Sequence, residues 1–267
     1  MSVQRRHHVH VAGRGPATMI FAHGFGCDQN MWRYTAPAFE RRFKTVLYDL
    51  VGSGKSDLSA YSYDKYATLH GHARDVLEIA DEFAEGPVVF VGHSVSAMTG
   101  LLATIEAPDR FAAQLMVGPS PCYINDGDYV GGFAREDIDG LLETLESNYL
   151  GWSSAMAPVI MGAPERPDLR EELTNSFCRT DPDIAKHFAR VTFLSDHRQD
   201  LAESRTPALI LQCSDDVIAP RCVGEYMHQT MRDSALVVID NVGHCPHMSS
   251  PAASIDAMET YLRRVGL

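Results

Sequence analysis

The sequence predicts an α/β protein, one mostly parallel sheet flanked by helices and interrupted by a helical insertion. Three observations predict it. Short apolar runs rich in β-branched residues alternate with helical stretches up to about Val117, as a parallel sheet with crossover helices requires. The alternation lapses from about Asn125 to His197, where four helical segments follow one another. The strand pattern then returns at Ala208. The expected organisation is a core of residues 1–124 and 198–267 with a helical lid of residues 125–197. A chain of 267 residues accommodates one such domain.

Taken in order, Thr18-Met19-Ile20-Phe21-Ala22 reads as a strand that ends in His23-Gly24-Phe25-Gly26. Val46-Leu47-Tyr48-Asp49 is the next, followed by a glycine-rich loop. Gly52-Ser53-Gly54-Lys55-Ser56 looks like the end of a phosphate-binding loop. The full pattern needs a glycine five residues before Gly54, where this chain has Asp49. A carboxylate there repels phosphate, so nucleotide binding is set aside. Val88-Val89-Phe90-Val91 then runs into Gly92-His93-Ser94-Val95-Ser96, and Ala97 to Ala107 reads as a helix.

The inserted helices are expected over Arg135–Asn148, Gly151–Met161, Pro167–Arg179 and Pro182–Leu194, with Asp181 before Pro182 marking a start. Their acidic positions Glu136, Asp137, Glu143, Glu171 and Glu172 are expected on solvated outer faces. After the insertion, Ala208-Leu209-Ile210-Leu211-Gln212 leads to Cys213-Ser214-Asp215-Asp216, and Leu236-Val237-Val238-Ile239 leads to Asn241-Val242-Gly243-His244.

Chemistry gathers at these strand ends, the edge where open α/β sheets build their sites. G-x-S-x-G between strand and helix is a nucleophile elbow, a strained turn that exposes the serine hydroxyl. Here Ser96 stands in the place of the last glycine, a modest steric addition. A serine hydroxyl is a poor nucleophile at neutral pH, so it needs a base and a carboxylate to orient that base. His244 and an aspartate follow Ser94 in the order acid, then histidine. Asp216 is taken as the acid because it stands four residues before Pro220, in an Asp-x-x-x-Pro loop. Asp215 is then a solvated or capping loop carboxylate. His247 reads as a second polar loop residue. His93 reads as structural, turned away from the serine. Backbone N–H groups of Phe25 and Val95 are the candidate oxyanion donors. Phe25, Phe133, Trp152, Met156, Phe177 and Phe193 are the candidate substrate-lining residues, and as a set they favour a small apolar substrate.

Together these residues resemble the α/β-hydrolase superfamily over the whole chain. The segments Phe25-Gly26-Cys27-Asp28, Gly118-Pro119-Ser120-Pro121-Cys122-Tyr123, Asn148-Tyr149-Leu150-Gly151-Trp152, Ser195-Asp196-His197-Arg198 and Gly243-His244-Cys245-Pro246-His247-Met248-Ser249 narrow the resemblance. They resemble the RsbQ-type hydrolases, a bacterial group allied to the plant strigolactone and karrikin receptors. Ser96 in place of glycine is the departure. The resemblance implies a triad of Ser94, Asp216 and His244, an enclosed apolar pocket under a helical lid, and a role in stress signalling. In that signalling the partner is a PAS-domain phosphatase.

The expected activity is therefore hydrolysis of a small apolar ester or lactone. The competing expectation is a ligand-sensing regulatory protein, with slow hydrolysis, that acts on a partner phosphatase. Carbon–carbon bond hydrolysis by the same triad is a third. A serine at the elbow argues against haloalkane dehalogenase and epoxide hydrolase chemistry, which place aspartate there.

Composition agrees with this class. A net charge of −12 disfavours nucleic acid and anionic membranes as partners. No run of eighteen apolar residues exists, and Met1 to His10 is polar and basic, without the apolar core of a secretory signal. The six cysteines (Cys27, Cys122, Cys178, Cys213, Cys222, Cys245) form no C-x-x-C pair and read as free thiols of a cytoplasmic protein. His7, His8 and His10 lack a neighbouring ligand pattern and read as a solvated strand face. No metal or organic cofactor is implied.

Overall fold

The computed structural model describes all 267 residues. Its centre is a seven-stranded sheet: β1 (His10–Ala12), β2 (Ala17–Ala22), β3 (Phe43–Tyr48), β4 (Val88–His93), β5 (Phe111–Val117), β6 (Ala208–Asp215) and β7 (Ser234–Val242). The spatial order is β1-β3-β2-β4-β5-β6-β7. Only β1 is antiparallel, pairing His10 with Leu47 and Ala12 with Thr45 at the sheet edge. Ten helices complete the chain. They are α1 (Val3–Arg6), α2 (Leu69–Phe83), α3 (Val95–Glu106), the inserted α4 (Arg135–Ser147), α5 (Tyr149–Met161), α6 (Pro167–Arg179) and α7 (Pro182–Phe193), then α8 (Arg221–Thr230), α9 (Pro246–Ser249) and α10 (Pro251–Arg264).

Every residue of β2 and of β4 is buried, as expected of strands covered on both faces. Their side chains alternate between two apolar cores. Met19, Phe21, Val89 and Val91 belong to one, which continues into Ile138, Leu173 and Phe177 of the insertion. Ile20, Ala22, Val88 and Phe90 belong to the other, packed on α2, α3 and α8.

The four inserted helices follow from local signals. In α4, Ile138, Leu142 and Leu145 are the buried positions, the spacing of one helix face. Asn148 starts α5, its side chain accepting from Gly151 N at 3.0 Å. Leu169, Leu173 and Phe177 form the buried stripe of α6, which opens on Pro167. At α7 the Asp181 carboxylate accepts from Asp183 N at 3.0 Å and Ile184 N at 3.1 Å, and Pro182 occupies the first turn, where its missing N–H costs nothing.

The amino terminus corrects one expectation. His8 and His10 are exposed, but His7 is fully buried. A turn at His8 (φ +47°) sends the preceding side chain inward. There its ring lies 3.2 Å from the Asp49 carbonyl and 3.7 Å from the Asp75 carboxylate. Asp49, which interrupts the phosphate-loop pattern, accepts from the backbone N–H groups of Gln29 and Lys55 at 2.8 Å each. It organises the loops after β2 and β3. All six cysteines are free thiols. No helix is long and apolar enough to cross a membrane.

Candidate active site

Strand β4 delivers Ser94 into a conformation few residues adopt, φ +56° and ψ −125°. Positive φ at a non-glycine residue costs roughly 1–3 kcal/mol and persists only where the surroundings enforce it. Here α3 starts at the next residue and turns back over the strand. A methyl on Gly92 would lie 2.5 Å from the Ser96 carbonyl oxygen, so only glycine allows the two backbones to meet. Ser96 is fully buried, and its hydroxyl donates to the His23 carbonyl at 2.5 Å. The residue that departs from the glycine pattern thus ties the elbow to the loop after β2.

Ends of β6 and β7 bring the other groups in. The Asp216 Oδ2 and His244 Nδ1 atoms are 2.7 Å apart, and His244 Nε2 is 2.8 Å from Ser94 Oγ. All three residues are buried. The second carboxylate oxygen of Asp216 accepts from Ile218 N at 2.8 Å and Ala219 N at 3.2 Å. Those bonds hold the carboxylate still and leave Oδ2 to the imidazole. Asp215, one residue earlier at the strand end, is exposed. Gly118, at the end of β5 with φ +57°, leaves room for the His244 ring, which a methyl there would meet at 3.0 Å. The insertion reaches the same loop: His244 N donates to the Ile160 carbonyl of α5 at 2.8 Å.

Two further histidines stand behind His244. His93 Nε2 donates to the His244 carbonyl at 2.9 Å, which places the proton on Nε2 and leaves Nδ1 without a partner. A methyl on Gly24 would come within 2.5 Å of that nitrogen. Burial holds His93 well below the usual imidazole range. His247 is not the polar loop residue expected. It is fully buried, lies 4.5 Å from both the Trp32 and His93 rings, and burial pushes it down to about 3. Pro246 starts the short helix α9 directly after the His244 loop and turns that side chain inward.

Of the two backbone donors named from sequence, Val95 follows Ser94 in the chain and Phe25 lines the same cavity as Ser94. Val95 N–H opens α3 and so has no acceptor within the helix, and neither it nor Phe25 N–H meets another acceptor. Above them lies a narrow cavity, about 30 Å³ of room for the centre of a water molecule, lined by nine apolar residues among thirteen. Phe25, Phe177 and Phe193 line it with Ser94 and His244. Phe133, Trp152 and Met156 do not. Trp152 stacks on Phe177 at 5.8 Å with the planes 8° apart, and so backs the wall rather than forming it. Sequence reasoning missed Cys27, Tyr123, Ile160, Leu173, Thr192, Ile218 and Cys245, and His93, expected to turn away from the serine, lines the same cavity. Tyr123 closes one of the segments that carry the family resemblance, which is the signal that could have found it. Burial pushes its phenol up to about 12, so it remains a neutral hydroxyl.

A model of the Alpha/beta hydrolase family matches residues 19–257. The chain belongs to that family. Its seven-stranded sheet with flanking helices is the α/β-hydrolase fold, as the sequence predicts. This hydrolase is 38% identical to the Karrikin insensitive 2 receptor CA of Petunia hybrida, over 96% of this chain and 95% of the relative. It is 35% identical to the Strigolactone esterase D14 of Arabidopsis thaliana, over 96% and 94%. Among solved structures, a hydrolase from Oleispira antarctica superposes with a TM-score of 0.93 at 41% identity, covering 98% of this chain and 96% of that one. The resemblance to the plant receptors read from the sequence therefore holds.

Proposed function

We propose that the protein is a serine esterase or lactonase for small apolar substrates. The observation that carries this reading is the hydrogen-bonded series Asp216–His244–Ser94 at the floor of an apolar cavity. Ser94 Oγ attacks the carbonyl carbon while His244 Nε2 takes its proton. The Asp216 carboxylate holds the imidazole tautomer and stabilises the imidazolium. Phe25 and Val95 N–H groups receive the developing oxyanion, a contribution of about 2.7–4 kcal/mol for each donor in a comparable site. Collapse expels the alkoxide, which takes the proton from His244. A water, deprotonated by the same imidazole, then releases the acyl group from Ser94. The helices of residues 125–197 act as the lid over this cavity, and its apolar lining selects the substrate.

Names among the relatives support a second role. Some are called receptors and others esterases, and the same site can serve both. In this second role the hydrolase senses a ligand by slow turnover and acts on a partner through its lid. A PAS-domain phosphatase is the partner that the RsbQ-type resemblance implies. A ligand can drive such a change only by binding two lid states with different affinity.

The deciding experiment is Ser94→Ala. It should abolish ester hydrolysis and covalent labelling by a fluorophosphonate while the circular dichroism spectrum stays native. Labelling retained in the variant would overturn the assignment. Turnover of only a few events per hour on a broad ester panel, with lid helices slowed in hydrogen exchange by a bound substrate analogue, would favour the sensing role.

A further inference from the structure

The loop that carries Phe25 is gripped from two sides. On the core side, Ser96 of α3 donates to the His23 carbonyl at 2.5 Å. On the other, Ser176 of α6 donates to the Gly26 carbonyl at 2.8 Å. The Phe25 N–H lies between these two anchored carbonyls. Gly26 itself has φ +69°, and a methyl there would lie 2.4 Å from the Phe177 ring, so α6 rests directly on the loop backbone. One turn earlier on α6, Glu172 accepts from Arg33 Nη1 at 2.7 Å and Nη2 at 2.6 Å. Two parallel charge-assisted bonds of this kind set geometry as well as energy. Glu172 therefore does not sit on a solvated outer face with the other lid acids. It faces the core and fixes α6 above the loop.

We infer that Ser176, supported by the Arg33–Glu172 pair, is a positioning residue for the oxyanion donor of Phe25. This rests on the esterase reading above and extends it. The core-side anchor is part of the elbow and is always present. The second anchor belongs to the insertion, so the Phe25 N–H is fully aimed only while α6 is docked. The closed cavity and the competent oxyanion site are then one state. An α6 that lifts to admit substrate also relaxes the donor, and chemistry waits for its return.

The test uses the whole chain and two inhibitors of one shape. One is a trifluoromethyl ketone, which Ser94 would convert to a tetrahedral oxyanion adduct. The other is the corresponding non-electrophilic ether, which fills the cavity without forming that adduct. Ser176→Ala should lower kcat about three- to tenfold, the range a single hydrogen bond carries, with KM within twofold. Trifluoromethyl ketone affinity should fall by the same factor and ether affinity should not move. Ser176→Thr, which keeps the hydroxyl, should restore both. Glu172→Gln should reproduce the kcat loss in part, and exchanging the charges (Arg33→Glu with Glu172→Arg) should recover it.

Equal loss of affinity for both inhibitors would mean a general packing role and would overturn the inference. So would a Ser176→Ala enzyme with unchanged kcat and unchanged ketone affinity. If the unsubstituted protein neither hydrolyses esters nor forms the ketone adduct, the esterase reading itself fails, and this inference falls with it.

Discussion

Replacing Gly26 by alanine isolates the contact between α6 and the loop after β2. Two costs apply. The left-handed backbone at φ +69° penalises any side chain by about 1–2 kcal/mol. The new methyl would also lie 2.4 Å from two carbons of the Phe177 ring. That ring is 1% exposed and stacked on Trp152, so it has nowhere to retreat. Overpacking of this kind costs about 1–3 kcal/mol. Gly127 supplies the control, with φ +57° and nothing within 4 Å of where a methyl would stand. Gly127→Ala should therefore cost about 1–2 kcal/mol, and Gly26→Ala about 2–5 kcal/mol. Urea unfolding at pH 7 reads both, with equal m-values required for the comparison. In a Phe177→Ala background the steric part vanishes, and the increment for Gly26→Ala should drop to the Gly127 value. Equal costs for the two glycines, or an increment that survives loss of the ring, would refute the reasoning.

Asp216→Asn should lower kcat by about 10⁴, as loss of the orienting carboxylate does in a serine protease triad. Exposed Asp215→Asn should change it by less than about threefold, and steady-state rates that reverse this ranking would move the acid. Stability should fall on acidification from pH 6.5 to 5. Burial holds folded His72 down to about 4 and His247 down to about 3, against 6.5 in the unfolded chain. The unfolded state thus binds more protons in that window, and each histidine removes roughly 2 kcal/mol by pH 5. Denaturation midpoints at the two pH values check this. Burial holds His23 and His93 down as well, so His247→Phe, which keeps the ring against Trp32, should remove about a quarter to a third of the fall, and an unaltered pH slope would contradict the assignment.

Local patterns carried most of the architecture. Strand ends announce themselves where an apolar run meets turn residues: glycine at the elbow and the His244 loop, Ser214-Asp215-Asp216 at the acid loop. Helix starts were equally legible at Asp181-Pro182 and Pro167, because capping and the missing proline N–H act within one turn. Asp215 and Asp216 differ by one position at the end of β6. Chain order cannot choose between neighbours, and only the spacing to Pro220 pointed to the one that is buried.

What the sequence determined by itself is the set of elements, their order along the chain and the residues that stand at the ends of the strands. Tertiary structure decided which side chains share a surface. Phe177 and Phe193 line the cavity, whereas Trp152 stacks behind it and Phe133 and Met156 lie elsewhere. Helical periodicity marks a residue as inward-facing without naming the neighbour it faces. His7 and His247 carry a polar signature yet are buried, because a turn at His8 and a helix start at Pro246 direct them inward. Ser96, Ser176 and Glu172 look like surface-type residues in isolation. Each becomes informative only when its bonding partner arrives from another part of the chain, 73, 150 and 139 positions away. Contacts at that separation depend on how the helices pack over the sheet, and packing is a property of the whole fold.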